Sequence, residues 1–429
     1  MTRSGGVARG TAINLATRLL AVGLVLLITA FTARLGTEKQ GAFALFTSVE
    51  GVLLALLSGF GIALARRVSH HGEQPRELLV AIVVACIGLG AMAALVLWAV
   101  SAFGPPAYSM LWLLALAAPL LLLAPNLAGL WLGEGRMLPM AAVSLAPPLL
   151  TLLGLAALLA VQAASLPQVL ASWVVAKVLV GAAVLVVMAR SGRLAAPGTA
   201  GFGALRAELP FIATIGLTNL IGLLNYRVGL FVIERLLGLS ATGVYSIAVV
   251  VAELLWFVSG SLTQAVYGRI GTPDRARAAA TTVRVVHLSL LALLLVAPLL
   301  ALVAVAVIPR VLGPAYAASL PLLAWLLPGA LVFGGASALS AYFTNHAGRP
   351  QVPAQVAAVS LALNATLALT LVPLMGMAGA ALAASLSYTA SVLLLAWRFA
   401  RHAGLPLVAV LWPGAQLKRD LLALRRGGG

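Results

Sequence analysis

Apolar stretches long enough to cross a bilayer recur from one end of the chain to the other, and charged residues gather in the short gaps between them. At a rise of roughly 1.5 Å per residue, about 20 apolar residues cross the hydrocarbon core as a helix. The pattern predicts twelve spans, at 11–33, 41–65, 78–102, 109–132, 139–162, 168–189, 209–233, 243–267, 285–308, 318–345, 354–374 and 377–400. The gaps are mostly shorter than ~10 residues, too short to form a separate domain. The first span is too long for a cleavable signal and lacks a small-residue cleavage site, so it is expected to remain as an anchor.

The chain also repeats itself. Residues 35–59 and 237–260 align with Gly36 on Gly238, Gly41 on Gly243, Phe43 on Tyr245 and Ser58-Gly59 on Ser259-Gly260, and Glu50 falls within one position of Glu253. Further along, Gly104-Pro105 matches Gly313-Pro314, Pro119 matches Pro328, Gly135-Arg136 matches Gly348-Arg349, and Val143-Ser144 matches Val359-Ser360. An ordered series over six helices marks an internal repeat. An even number of helices per half gives both copies the same orientation, a parallel repeat about an axis along the membrane normal. The reading is therefore an all-α polytopic membrane protein with two parallel-repeat six-helix bundles around a central cavity. It divides into a cytoplasmic N-terminus (1–10), an N-terminal bundle (11–189), a Gly/Ala/Pro-rich cytoplasmic linker (190–208), a C-terminal bundle (209–400) and a basic cytoplasmic tail (401–429).

Composition agrees: of 429 residues, 62% are hydrophobic and 9% charged, which leaves too little polar surface for a soluble domain. The net charge of +17 would suit a nucleic-acid binder, but its distribution argues for a membrane instead. With the N-terminus inside, 20 of the 27 Lys and Arg fall in cytoplasmic segments, among them Arg66, Arg67, Arg76, Arg190, Arg193, Arg206, Arg269, Arg275, Arg277, Arg284 and the tail residues Lys418, Arg419, Arg425 and Arg426. Only Arg34, Lys39, Arg235 and Arg310 fall outside. This is the positive-inside asymmetry, and it puts both termini in the cytoplasm with the tail beside anionic headgroups. One cysteine, Cys86, rules out an intrachain disulfide, and no Cys/His spacing suits a metal. His70 and His71 are adjacent and read as solvated. No cofactor is expected.

Five charges fall inside the spans: Arg18, Glu50, Lys177, Arg227 and Glu253. Each costs about 2.5–3.5 kcal/mol on insertion scales, so each needs a partner or a function. Glu50, Glu253 and Lys177 lie near the midplane, roughly 14–15 Å deep. One reading pairs Arg18 with Glu50 and Arg227 with Glu253, across axial gaps of roughly 6 Å. The other lines a path for an anion with Arg18, Lys177 and Arg227, where arginine's planar fork suits phosphate, and makes Glu50 or Glu253 the carrier of a coupling ion, H+ or Na+. Polar faces support a path: Thr11, Asn14 and Arg18 on helix 1, Asn225 on helix 7, Ser246, Glu253, Trp256, Gly260 and Gln264 on helix 8, and Ser360 with Asn364 on helix 11. Their alternative use is interhelical hydrogen bonding. Arg227 points about 200° away from Asn225, so helix 7 is either polar on two sides or unwound. Pro119, Pro125, Pro147, Pro148, Pro298 and Pro328 are candidate kinks.

Several stretches resemble polysaccharide flippases: Asn14 with Arg34-Leu35-Gly36 and Gly41; Gly243, Tyr245, Ser246 and Ala248; LGPAYAAS at 312–319; AGRPQVP at 347–353; and Asn364, Val372-Pro373, Gly376 and Gly379-Ala380-Ala381. The resemblance covers nearly the whole chain. It is to the multidrug/oligosaccharidyl-lipid/polysaccharide (MOP) exporter superfamily, and within it to the O-antigen or polysaccharide (Wzx-type) flippases. It implies two bundles forming a V-shaped cavity in the bacterial inner membrane. It also implies alternating access that moves a polyprenyl-diphosphate-linked glycan outward, with glycan polymerase machinery as a downstream partner. Lipid II flippases resemble the family but carry two extra C-terminal helices, whereas only a short apolar segment, Leu405–Trp412, follows the last span here. Two alternatives stand beside this: a cation-coupled multidrug exporter of the same superfamily, which the midplane acids would suit, and a membrane glycan polymerase or glycosyltransferase, which the short outer loops disfavour.

Overall fold

The computed structural model describes residues 3–71, 76–161, 165–194 and 199–412. The tail cations Lys418, Arg419, Arg425 and Arg426, and the side chains of Thr11, Asn14, His70 and His71, lie outside what is described. Among the described residues twelve helices are long and apolar enough to cross a membrane. They are α1 (Ala16–Arg34), α2 (Thr37–Ser69), α3 (Arg76–Phe103), α4 (Leu111–Gly133), α5 (Met137–Ala160), α6 (Leu166–Arg190), α7 (Gly201–Leu237), α8 (Leu239–Ala265), α9 (Arg275–Leu312), α10 (Pro314–His346), α11 (Gln351–Met375) and α12 (Met377–Ala403). All twelve predicted spans are present, and several run further than the apolar pattern alone indicates.

The extensions are charged turns that continue the helix past the hydrocarbon. Asp274 caps α9, its carboxylate accepting from the backbone N–H groups of Ala276 and Arg277 at 3.0 and 3.1 Å, so the turns bearing Arg275, Arg277 and Arg284 are helical. The second half of the predicted linker is likewise helical: the helix containing α7 starts at Thr199. Its Glu208 is buried against the end of α2, 3.3 Å from Arg67 and 3.8 Å from Arg66. A carboxylate with two guanidiniums can leave water where a lone one cannot.

The chain forms two compact units, Met1–Leu223 and Leu224–Gly429, which divide within α7. Each has its own apolar core, centred in the first on residues such as Leu64, Ile82, Leu114 and Leu127 and in the second on residues such as Leu339, Tyr342, Val392 and Phe399. The repeat is visible in the backbone. Gly36 and Gly238 precede α2 and α8 with φ of 116° and 84°, and Gly135 and Gly348 precede α5 and α11 with φ of 68° and 62°. Only glycine enters this region without strain, so the matched glycines mark the same turns in both copies. Gly104-Pro105 and Gly313-Pro314 are each followed by a 3-10 turn, at Pro106–Tyr108 and Pro314–Ala318.

Not every proline breaks its helix. Pro119 and Pro125 fall in α4, which is split into three short helical pieces. Pro147, Pro148 and Pro298 lie inside unbroken helix, and Pro328 lies in Ser319–Gly334, the longest helical piece of the segmented α10. Beside Pro125, Asn126 donates to the Leu122 carbonyl of α4 at 2.9 Å and accepts from the Gly61 N–H of α2 at 3.0 Å. Its amide thus joins the segmented α4 to α2 by a buried hydrogen bond, the kind of contact that makes irregular backbone tolerable in a membrane.

Candidate functional site

The repeat-related helices α2 and α8 carry Glu50 and Glu253 at corresponding positions, and each of these acids is held by a cation from a different helix. In the first unit Glu50 is 2% exposed. It accepts a hydrogen bond from the Trp173 indole N–H at 2.7 Å and forms an ion pair with Lys177. Trp173 and Lys177 are four residues apart on α6 and so share a face. The Lys177 ammonium lies 4.2 Å from the centre of the Trp173 ring, a cation–π contact, and Phe43 of α2 meets that ring edge-on at 5.4 Å. The carboxylate is therefore satisfied by two donors from one helix.

The expected pairing of Glu50 with Arg18 is not formed. α1 packs chiefly against α5 rather than α2, and Arg18 lies on an exposed face of α1. Lys177, four residues beyond Trp173, takes its place. Depth alone could not separate the two cations, because depth says nothing about which face of a helix meets which neighbour.

In the second unit the expected pair does form. The Arg227 guanidinium of α7 grips Glu253 of α8 through two bonds, at 2.7 and 3.2 Å. Both side chains keep about a fifth of their surface exposed, 22% and 21%. Beside the pair stands an aromatic group that the sequence pattern did not reveal. Tyr226 and Trp256 are tilted rings 4.7 Å apart, and Phe333 and Tyr388 lie 5.3 and 5.8 Å from Trp256. The Trp256 N–H donates to the Ala330 carbonyl at 3.2 Å. Tyr388 lies eleven residues after the first residue of α12, as Lys177 does in α6. The repeat thus keeps the acid and replaces the α6 cation by a tyrosine, with the cation supplied by α7.

α7 is unbroken through this region and is polar on two sides. Arg227 faces α8. Asn225, 2% exposed, faces α11, where its amide donates to the Ser360 hydroxyl at 3.1 Å and its backbone carbonyl accepts from the Asn364 amide at 2.8 Å. Ser360 also donates to the Ser387 carbonyl of α12 at 3.3 Å. Asn225, Ser360 and Asn364, the last 1% exposed, therefore tie α7, α11 and α12 together. Ser246 is also turned inward, donating to the Gly243 carbonyl at 2.7 Å.

No protein-family model matches the sequence, and no curated protein matches it. Solved structures do match the fold. One is an inward-facing multidrug resistance MATE family transporter of the MOP superfamily, with a TM-score of 0.74 and 13% identity over 91% of this chain and 94% of that one. Another is the lipid II flippase MurJ in an inward closed conformation, with a TM-score of 0.72 and 14% identity over 94% of this chain and 89% of that one. A third is a MOP superfamily transporter from Pyrococcus furiosus, with a TM-score of 0.65 and 13% identity over 93% and 95% of the two chains. The chain is thus a multi-pass helical membrane protein with the fold shared by these transporters.

Proposed function

We propose that this protein is a transporter that flips a polyprenyl-diphosphate-linked oligosaccharide across the bacterial inner membrane by alternating access, with both termini in the cytoplasm. The observation that carries the reading is the half-buried Arg227–Glu253 pair. A bidentate guanidinium held in a membrane interior by a single carboxylate is a site where a diphosphate can exchange for that carboxylate. The incoming group likewise offers paired oxygen acceptors to the guanidinium fork and carries more charge. Lys177 and Arg18 supply further positive charge along the path. Glu253, released when the anion takes its arginine, would carry the coupling ion, H+ or Na+, and Glu50 is the corresponding acid of the other unit. Asn14 belongs to the same reading as a polar residue near Arg18. Asn225 and Asn364 serve it by holding α7 in register, so that Arg227 stays on the α8 side. The fold likeness to a lipid II flippase supports a lipid-linked substrate, and a glycan polymerase would consume the product.

One observation favours a second reading. The aromatic group around Glu253 would suit a lipophilic cation, as in a cation-coupled multidrug exporter. Mass spectrometry of lipid-linked glycans in a deletion strain separates the two. The flippase reading predicts accumulation of one polyprenyl-diphosphate-linked oligosaccharide, reversed by the wild-type gene, with dye resistance unchanged. A parental lipid profile together with lost dye resistance would establish the exporter instead.

A further inference from the structure

α4, α5 and α6 leave a groove of about 420 Å³ between them in the first unit. Its walls are small or β-branched: Ala142 and Ala146 on α5, and Val180, Ala183 and Val187 on α6. Ala142, Ala183 and Val187 are exposed, so the groove is open along its side, while Val180 and the Trp131 ring lie buried. One end is polar. Arg136, Ser191 and Arg193 line it, and Glu134 braces the two arginines at 3.4 and 2.5 Å. This end carries two cations, Arg136 and Arg193, against one acid. The first turn of α5, beginning at Met137, has no side-chain cap, so its N–H groups also present positive potential there.

From these features we infer a binding site for one anionic phospholipid, with an acyl chain in the groove and the phosphate at Arg136 and Arg193. Length selects the occupant. From Ser191 to Val180 the groove runs roughly 16 Å along α6, and from Arg136 to Ala146 roughly 15 Å along α5. The half-thickness of the hydrocarbon core is about 15 Å. A groove that ends after one leaflet fits a phospholipid acyl chain, whereas a polyprenyl chain would overrun it. Charge selects the headgroup: a zwitterionic lipid would bring its own cation to the two already present, and an anionic one would not. Each guanidinium has five N–H donors, so its contact with Glu134 leaves others for a phosphate. The site does not depend on what the protein transports.

The test is titration of delipidated, detergent-purified protein with phosphatidylglycerol and, separately, phosphatidylcholine, reading bound lipid by native mass spectrometry and the thermal midpoint. Wild type is expected to bind one phosphatidylglycerol with a raised midpoint, and phosphatidylcholine roughly tenfold or more weakly, since each basic residue near a surface contributes about fivefold. Arg136→Gln/Arg193→Gln should lose most of that preference. Ala146→Leu/Ala183→Leu, which fills the groove and keeps the charges, should weaken both lipids. Equal binding of the two lipids by wild type would overturn the inference without recourse to any variant. So would an unchanged preference in the arginine variant, or displacement of phosphatidylglycerol by undecaprenyl phosphate at equal or lower concentration.

Discussion

Lys177→Ala is expected to destabilise the protein by about 3–5 kcal/mol, because it strips the cation from a carboxylate that is 2% exposed. The Trp173 N–H would remain the single strong donor to Glu50, and one neutral hydrogen bond does not compensate a buried charge. The effect belongs to the pair rather than to the lysine. Glu50→Gln/Lys177→Met should recover most of the loss, since Gln still accepts from Trp173 and Met fills the volume of the lysine stem. Thermal unfolding in detergent of the wild type, the single variant and the double variant reads this directly. A single variant as stable as wild type would contradict the pairing, and so would a double variant no better than the single.

Arg227→Ala is expected to reduce transport roughly ten- to a hundred-fold, the cost of losing a charged, two-pronged contact. It should also lower stability, because Glu253 would be left unpaired. The two losses separate in Arg227→Ala/Glu253→Ala, which removes both charges. Stability should return toward wild type while transport stays low. Arg227→Lys should fall between, since an ammonium keeps the charge and loses the fork. Complementation of a flippase-deficient strain, read beside protein yield and thermal midpoint, distinguishes the outcomes. Full transport in the alanine variant would remove Arg227 from the path.

The twelve spans and the repeat were legible because both rest on one-dimensional signals. Hydrocarbon thickness fixes the length of an apolar run, and turns that need a positive φ fix glycines at Gly36, Gly135, Gly238 and Gly348. Helix ends were less legible. The turns around Glu208 and Arg275 are charged and helical at once, and their stability comes from a tertiary ion pair in one case and an Asp274 cap in the other. At the site, Arg227 and Glu253 were legible as a pair because α7 and α8 are consecutive. Glu50 with Lys177 was not, since that pair joins α2 to α6 across three intervening helices. Trp173, four residues before Lys177, was the available signal, as a donor on the same helix face as the cation. The aromatic group could not be read from spacing at all: Tyr226, Trp256, Phe333 and Tyr388 come from four helices that meet only in the folded unit.

The most direct test of the account is translocation in liposomes that carry a fluorescent polyprenyl-diphosphate oligosaccharide, with the outer-leaflet fraction read by a membrane-impermeant reagent. With the wild-type protein the account predicts that the whole lipid pool becomes accessible, and that with Arg227→Ala the inner-leaflet portion does so roughly ten- to a hundred-fold more slowly. A wild-type protein that reconstitutes folded and leaves the inner-leaflet lipid as protected as in protein-free liposomes would contradict it.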